Sequence, residues 1–148
     1  MSLDCTTRML APFLDRLSDE ELDAIPYGVI QLNAEGRVLS INRPEADGLG
    51  FPTERPVGRD YFSELAPSAF VAEVFGRYVD AFSSHQLDET FRFTFSHGTL
   101  PRTVMMRMYY AVRTGTVWIF TASPDGSPLA TSAGHVCDVR DVKQALVA

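Results

Sequence analysis

The sequence has few cysteines and no long apolar run. Its two cysteines, Cys5 and Cys137, lie near opposite ends of a chain of 148 residues, which favours free thiols in a reducing compartment over a disulfide bridge. No segment reaches the roughly 18 consecutive apolar residues that a membrane helix needs. The N-terminus also lacks a cationic stretch followed by an apolar one. We therefore expect a cytoplasmic protein with no membrane segment and no export signal.

The sequence also lacks basic clusters. It carries 13 Lys and Arg against 19 Asp and Glu, a net charge of −6, so its electrostatic field repels a phosphate backbone. Nucleic acid is therefore excluded as an expected partner. The apolar content of 45% is enough for one globular core without disulfides or a structural metal.

Catalytic and metal-binding motifs are missing as well. The chain contains no G-x-S-x-G, Walker, Rossmann or H-E-x-x-H pattern. Its three histidines, His85, His97 and His135, are too scattered for ligand spacing, and the pair formed by His135 and Cys137 is a weak signal. We expect neither an enzyme nor a metalloprotein, and no cofactor other than an unidentified small molecule held without a covalent bond.

The first 25 residues predict a helical cap. Apolar residues recur at helical spacing at Leu10, Phe13, Leu14 and Leu17. Ser18 and Glu21 then have the spacing of a capping box, which begins a second short helix. These helices carry enough apolar surface to pack on a sheet.

The centre of the chain alternates between strand and helix patterns. Residues 27–32 and 37–41 predict a β-hairpin, and Asn42 has the properties of a helix cap. A brief helix is expected over 60–65, and apolar spacing predicts a long amphipathic helix over 70–82.

Three further strands are predicted after these helices, at 91–96, 103–112 and 116–122. In the first of them Phe91, Phe93 and Phe95 alternate with polar residues, which is typical of a half-buried strand. The order predicts an α+β fold with a five-stranded antiparallel sheet, helices on one face and the cap on the other.

Three segments are expected on this basis. Residues 1–25 form the N-terminal cap, 26–122 the main domain, and 123–148 a linker and C-terminal tail. Ser, Pro, Gly and Ala dominate 123–135, whereas 136–148 is weakly amphipathic and predicts a short helix or docking strand.

A set of segments in the chain matches a known family pattern. The segments are YGVIQLNAEGRVLSIN at 27–42, Glu45, GRDYFSELAP at 58–67, FRFTF at 91–95, Pro101 and VWIF at 117–120. In these segments the sequence resembles the photoactive yellow protein family, blue-light sensors of the PAS superfamily. The resemblance runs from about Ala11 to Ala122 and implies the PAS fold.

The resemblance also implies a ligand site, which this sequence alters. The family attaches p-coumaric acid as a thioester to a cysteine directly after an Ala-Pro pair, and here that residue is Ser68. Glu45 keeps the family's glutamate, but Ile41 replaces a tyrosine, and Leu49 and Phe51 replace a threonine and an arginine. A serine hydroxyl is a poor nucleophile unless a neighbouring base activates it. We therefore expect a colourless protein and not a p-coumaric acid photoreceptor.

The residues around this position have two interpretations. Glu45 is either a buried acid that contacts a ligand or the capping-box partner of Asn42, and the second is favoured. The phenylalanines and methionines of the strands are typical of plain core, although they could line an adaptable pocket. The candidate pocket consists of Ile41, Glu45, Leu49, Phe51, Ser68, Phe93 and Met106.

The sequence therefore predicts a PAS-type sensory and signalling module of the kind found in bacteria. It would act without catalysis, by contacting a protein partner or by forming a homodimer. The alternative is a sensor that binds a small molecule without a covalent bond near Glu45 and Ser68. A photoreceptor with another chromophore is a third, less favoured possibility.

Overall fold

The computed structural model describes residues 3–97 and 100–129, and its centre is one five-stranded sheet. The strands are β1 Gly28–Leu32, β2 Val38–Ile41, β3 Asp88–Phe95, β4 Arg102–Ala111 and β5 Thr116–Ala122. They are ordered β2-β1-β5-β4-β3, and every neighbouring pair is antiparallel. The predicted α+β fold is confirmed, although β3 begins three residues earlier than its phenylalanine alternation indicated.

Short and irregular helices connect these strands. The α-helices are α1 Leu3–Leu10, α2 Asp19–Asp23, α3 Arg43–Gly48 and α4 Arg77–Ser84. A 3-10 helix of two turns covers Ala11–Arg16, and a single 3-10 turn covers Pro67–Ala69. π-helical turns cover Tyr61–Leu65 and Ala72–Gly76. The predicted capping box of α2 is confirmed, because Ser18 Oγ accepts from the Glu21 N–H while the Glu21 carboxylate accepts from the Ser18 N–H.

The long helix predicted over 70–82 is wrong in its first half. The α-helical part begins only at Arg77 and follows the π-helical turn Ala72–Gly76. A π turn holds more residues than an α turn and so rotates the apolar stripe. Val71 and Val79, both assigned to the buried stripe by their spacing, are each 43% exposed.

The sheet separates two apolar cores. On one face, β1, β4 and β5 pack against α3, α4 and the π-helical turn Tyr61–Leu65. On the other face, Trp118 and Phe120 of β5 pack against the N-terminal segment through Leu3, Leu10 and Leu14. The two-sided arrangement expected from the sequence is therefore confirmed, with the N-terminal helices forming the cap.

The two ends of the described chain meet beside the cap. The Leu3 N–H donates to the Gly126 carbonyl at 3.1 Å, and the Leu129 N–H donates to the Pro26 carbonyl at 2.9 Å. The division at residues 25 and 122 stays a prediction. Residues 130–148, with His135, Cys137 and most of the predicted linker and tail, lie outside the described part.

Two general features can be stated for residues 3–97 and 100–129. None of their helices is both long enough and apolar enough to cross a membrane. The same residues contain no group of three or more His, Cys, Asp or Glu side chains placed to hold a metal ion.

Candidate functional site

Asn42 fixes the position of the candidate site. Its Oδ1 accepts from the N–H groups of Val29 at 2.9 Å and Glu45 at 3.2 Å. Its Nδ2 donates to the carbonyls of Leu22 at 2.9 Å and Tyr27 at 2.8 Å. One fully buried amide therefore joins the cap, β1 and the first turn of α3, and the predicted helix cap is confirmed.

Glu45 is fully buried and points toward the sheet. Its Oε1 accepts a hydrogen bond of 2.8 Å from the Thr121 hydroxyl of β5. The capping-box interpretation is wrong, because the Asn42 N–H donates to the Val29 carbonyl instead. Gly28 makes this approach possible, since a Cβ there would collide with the Thr121 hydroxyl and the Glu45 carboxylate.

Arg102 approaches Glu45 from the start of β4. Its Nη2 lies 3.7 Å from Glu45 Oε1, and its guanidinium carbon lies 4.8 Å from the centre of the Phe95 ring. Gly48 of α3 leaves room for it, because a Cβ at that position would collide with the guanidinium. The pair is therefore an ion pair at the edge of the interior, with the arginine side chain about one quarter exposed, at 27%.

Three buried polar atoms in this region have no hydrogen-bond partner in the described part of the chain. They are Glu45 Oε2, Arg102 Nη2 and the Tyr61 hydroxyl. Leaving a buried polar atom unpaired costs about 1–3 kcal/mol. A cluster of such atoms is typical of a place that takes up water or a small polar molecule.

The two acidic side chains of the cluster, Glu45 and Tyr61, both have raised pKa values. Burial raises the pKa of Glu45, while the Arg102 charge and the Thr121 hydrogen bond act in the opposite direction. Burial also raises the pKa of Tyr61, and the neighbouring Glu45 charge adds to that effect. Tyr61 therefore stays a neutral hydroxyl, and Glu45 keeps its proton to higher pH than an exposed glutamate does.

Ser68 has a histidine neighbour. Its Oγ lies 2.7 Å from His97 Nδ1, which joins the 3-10 turn Pro67–Ala69 to the end of β3. Burial and the nearby Arg102 charge lower the pKa of His97, so the imidazole is neutral at pH 7 and above. His97 lies in a turn, as predicted, and in addition its ring contacts Ser68. The next two residues of the turn, 98 and 99, lie outside the described part.

The other predicted pocket residues are apolar side chains of the helix-side core. Ile41, Leu49, Phe93 and Met106 are buried in the helix-side core, and Phe51 packs against it from the surface. Their burial matches the expectation of plain core. Whether they contact a ligand stays a prediction.

The sequence did not identify Arg102 and Tyr61 as members of the cluster, or His97 as the neighbour of Ser68. The alternation that placed Phe95 on the helix-facing side continues one step further to His97. In β4 the buried residues Met106 and Val104 alternate with their neighbours. The same alternation continues one step back to Arg102, which stands directly opposite Phe95 in the register. In both strands the alternation continues past the apolar residues, to His97 and to Arg102. The prediction used the apolar residues alone.

Comparison with known proteins gives consistent results. The family model described as PAS fold matches residues 18–124. The photoactive yellow protein of Halochromatium salexigens is 30% identical over 107 residues, which cover 72% of this chain and 86% of that protein. The photoactive yellow protein of Rhodothalassium salexigens is 27% identical over 104 residues, 70% of this chain and 83% of that protein.

A solved structure is also similar. The photoactive yellow protein domain of the sensor histidine kinase Ppr from Rhodospirillum centenum superimposes with a TM-score of 0.71 at 34% identity. The match covers 76% of this chain and 99% of that domain.

Proposed function

Because this chain belongs to the PAS family and is related to photoactive yellow protein, we propose that it is a sensory module that signals by contacting other proteins. It carries out no catalysis of its own. The signal would pass to a protein partner or to a second copy of the chain. The observation that best supports this function is the polar attachment of the N-terminal cap to the outer face of the sheet.

Arg107 is the centre of that attachment. It is 1% exposed, and its Nη1 donates to the Thr7 hydroxyl of α1 at 2.6 Å. The same guanidinium donates to the Asp88 carboxylate of β3 at 2.9 Å and lowers the pKa of that carboxyl group. A layer held partly by polar contacts exposes less apolar surface when it separates than a purely apolar one does. The cap is therefore suited to leave the sheet and return.

Replacing Arg107 with methionine is expected to loosen the cap while the sheet stays folded. The apolar stem of the side chain is kept, but the bond to Thr7 of the cap is lost, which amounts to about 1–2 kcal/mol. The bond to Asp88 is lost as well, but it lies within the sheet. Amide hydrogens of α1 should then exchange about tenfold faster, as measured by hydrogen exchange with mass spectrometry. Arg113→Met is the control, because Arg113 pairs with Asp15 of the cap only at the surface. Equal exchange in the two variants would contradict the assigned role of Arg107.

Light scattering after size exclusion tests signalling through self-association. We expect the full chain to be a dimer, and the Arg107→Met variant to have a different monomer to dimer ratio. A shortened chain of residues 1–123 tests the C-terminal segment, because Gly126 and Leu129 bond to the start and end of the cap region. If all three proteins are monomers and the full chain retains no protein partner in pull-down experiments, the proposed function loses its support.

A second function, binding of a small molecule in the interior, is favoured by one specific observation. Glu45 Oε2, Arg102 Nη2 and the Tyr61 hydroxyl are buried without partners in the described chain. A small polar molecule or water that reached all three would satisfy them. The predicted pocket residues Ile41 and Ser68 would lie at its borders. Denaturing extraction followed by mass spectrometry distinguishes a retained molecule from water.

The described residues do not fit a thioester-linked p-coumaroyl group. Ser68 stands where the family has the thiol, and Arg102 and Thr121 both approach Oε1 of Glu45, the glutamate that the family uses to bind the chromophore. The purified protein should therefore absorb only in the region of its own aromatic residues. A visible band that survives dialysis would contradict this expectation and would revive the photoreceptor interpretation.

A further inference from the structure

A separate groove lies outside the interior cluster, between the first hairpin turn, the π-helical turn Tyr61–Leu65 and α4. Its volume is about 620 Å³, within the range of roughly 300–1,000 Å³ that is typical of small-molecule sites. It shares no residue with the predicted pocket. The lining residues that matter here are Glu35, Gly36, Asp60, Phe62, Phe70 and Tyr78.

The floor of the groove is aromatic. Phe62, Phe70 and Phe75 contact one another, with ring centroids 4.5–6.4 Å apart, and Tyr78 lies 5.1 Å from Phe62. Phe70 is 60% exposed. An exposed phenylalanine beside other rings offers a surface on which an apolar or aromatic ligand can lie.

The rim of the groove is negatively charged. Glu35 and Asp60 are both in the lining, and none of the described lining residues is basic. Burial, together with the charges of these two carboxylates, raises the pKa of Tyr78 to about 12. The negative potential therefore reaches the aromatic floor, and the net charge of −6 adds to it.

These groups converge beside Gly36. A methyl-sized group built on its Cα would lie 3.6 Å from a ring carbon of Phe62 and 3.8 Å from both Asp60 Oδ2 and the Tyr78 hydroxyl. Because Gly36 has no side chain, a ligand atom in van der Waals contact with its Cα can approach these three groups. An aromatic ring, a carboxylate and a hydroxyl around one point suit an ammonium group better than a neutral or anionic one.

From this convergence we propose that the groove binds a small organic cation, an ammonium group attached to an aromatic or aliphatic body. The ammonium group lies beside Gly36, between the carboxylates and the rings of Phe62 and Tyr78. The apolar body lies on Phe70. This site is independent of signalling through the cap, and it does not require a ligand in the interior.

Phenethylamine is a suitable probe, and 2-phenylethanol is its neutral match in size. Titration of the isotope-labelled full chain by NMR should show saturable shifts at the amides of Phe62, Phe70 and Tyr78 with the amine, and at least about fivefold weaker binding of the alcohol. Glu35→Gln should raise the Kd for the amine about threefold, and Phe70→Ala about fivefold. Both side chains are exposed, so unchanged spectra elsewhere confirm that the fold is kept.

The control is Glu20→Gln, which removes an exposed carboxylate of α2 and should leave the Kd unchanged. Three results would each overturn the proposal: the absence of saturable shifts at those three amides, equal binding of amine and alcohol, or equal weakening by Glu20→Gln and Glu35→Gln. The last result would assign the binding to general charge attraction alone.

Discussion

Replacing Asn42 with alanine is expected to lower the free energy of unfolding by about 4 kcal/mol. The side chain makes four hydrogen bonds, to Val29, Glu45, Leu22 and Tyr27, and all four are inside the protein. Each bond contributes about 1 kcal/mol, and an alanine cannot satisfy the groups left behind. Urea unfolding followed by the fluorescence of the single tryptophan, Trp118, measures the change.

Asn42→Asp separates the two halves of this network. An ionised aspartate keeps the oxygen that accepts from Val29 and Glu45 but cannot donate to Leu22 or Tyr27, whereas a protonated one can donate to one of these two carbonyls. We expect this variant to lose less than half as much stability at low pH, where the carboxyl group is protonated, and more at neutral pH, where a buried charge is added. A loss below about 1 kcal/mol for Asn42→Ala would contradict the central role of this amide.

Replacing Arg102 with methionine is expected to have the second largest effect, and the effect should depend on pH. At pH 8 the free energy of unfolding should fall by about 2–3 kcal/mol, because a buried Glu45 carboxylate is left without its cation. At pH 5 the loss should be much smaller, since a protonated Glu45 needs no cation. Urea unfolding at several pH values between 5 and 8 tests this difference.

The sign of the pH dependence follows from Glu45. Its pKa in the folded protein is above its ordinary value of 4.5, so the folded state binds the proton more tightly than the unfolded state does. The contribution of Glu45 to stability is therefore fully present below about pH 4.5 and is lost as the pH rises through the folded-state pKa. Removing the Arg102 charge raises that pKa further and makes the loss larger.

Glu45→Gln is the matched control for this prediction. A glutamine keeps an oxygen that can accept from the Thr121 hydroxyl, but it has no carboxyl group and does not titrate between pH 5 and 8. The variant should gain stability relative to the wild type as the pH rises from 5 to 8. If the wild type and Glu45→Gln show the same pH dependence, Glu45 is not the group that titrates.

The overall fold could be predicted from the sequence because its signals are local. The capping box at Ser18 and Glu21, the cap at Asn42 and the alternation of Phe91 to Phe95 each depend on residues close in the chain. The start of α4 could not be predicted, because an apolar spacing does not distinguish an α turn from the π turn Ala72–Gly76.

The candidate site was predicted only in part, for a different reason. Glu45 was found, but its direction depends on Thr121 and on the missing side chain of Gly28, which lie far away in sequence. Arg102 and His97 are a cation and a turn histidine in the sequence, and only the register of β3 against β4 brings them to the same interior edge. Local alternation indicates which face of its own strand each residue occupies, but not which residues of two strands stand opposite each other.

The bonds from Leu3 to Gly126 and from Leu129 to Pro26 have a mechanical consequence. They join residues 126–129 directly to both sides of the cap, so a displacement of this segment acts on the cap without passing through the sheet. Each contact is a single backbone hydrogen bond worth about 1 kcal/mol, which is less than the strand pairs of the sheet contribute together. A partner that binds residues 126–129 would therefore act on the edge of the cap before it disturbs any strand of the sheet.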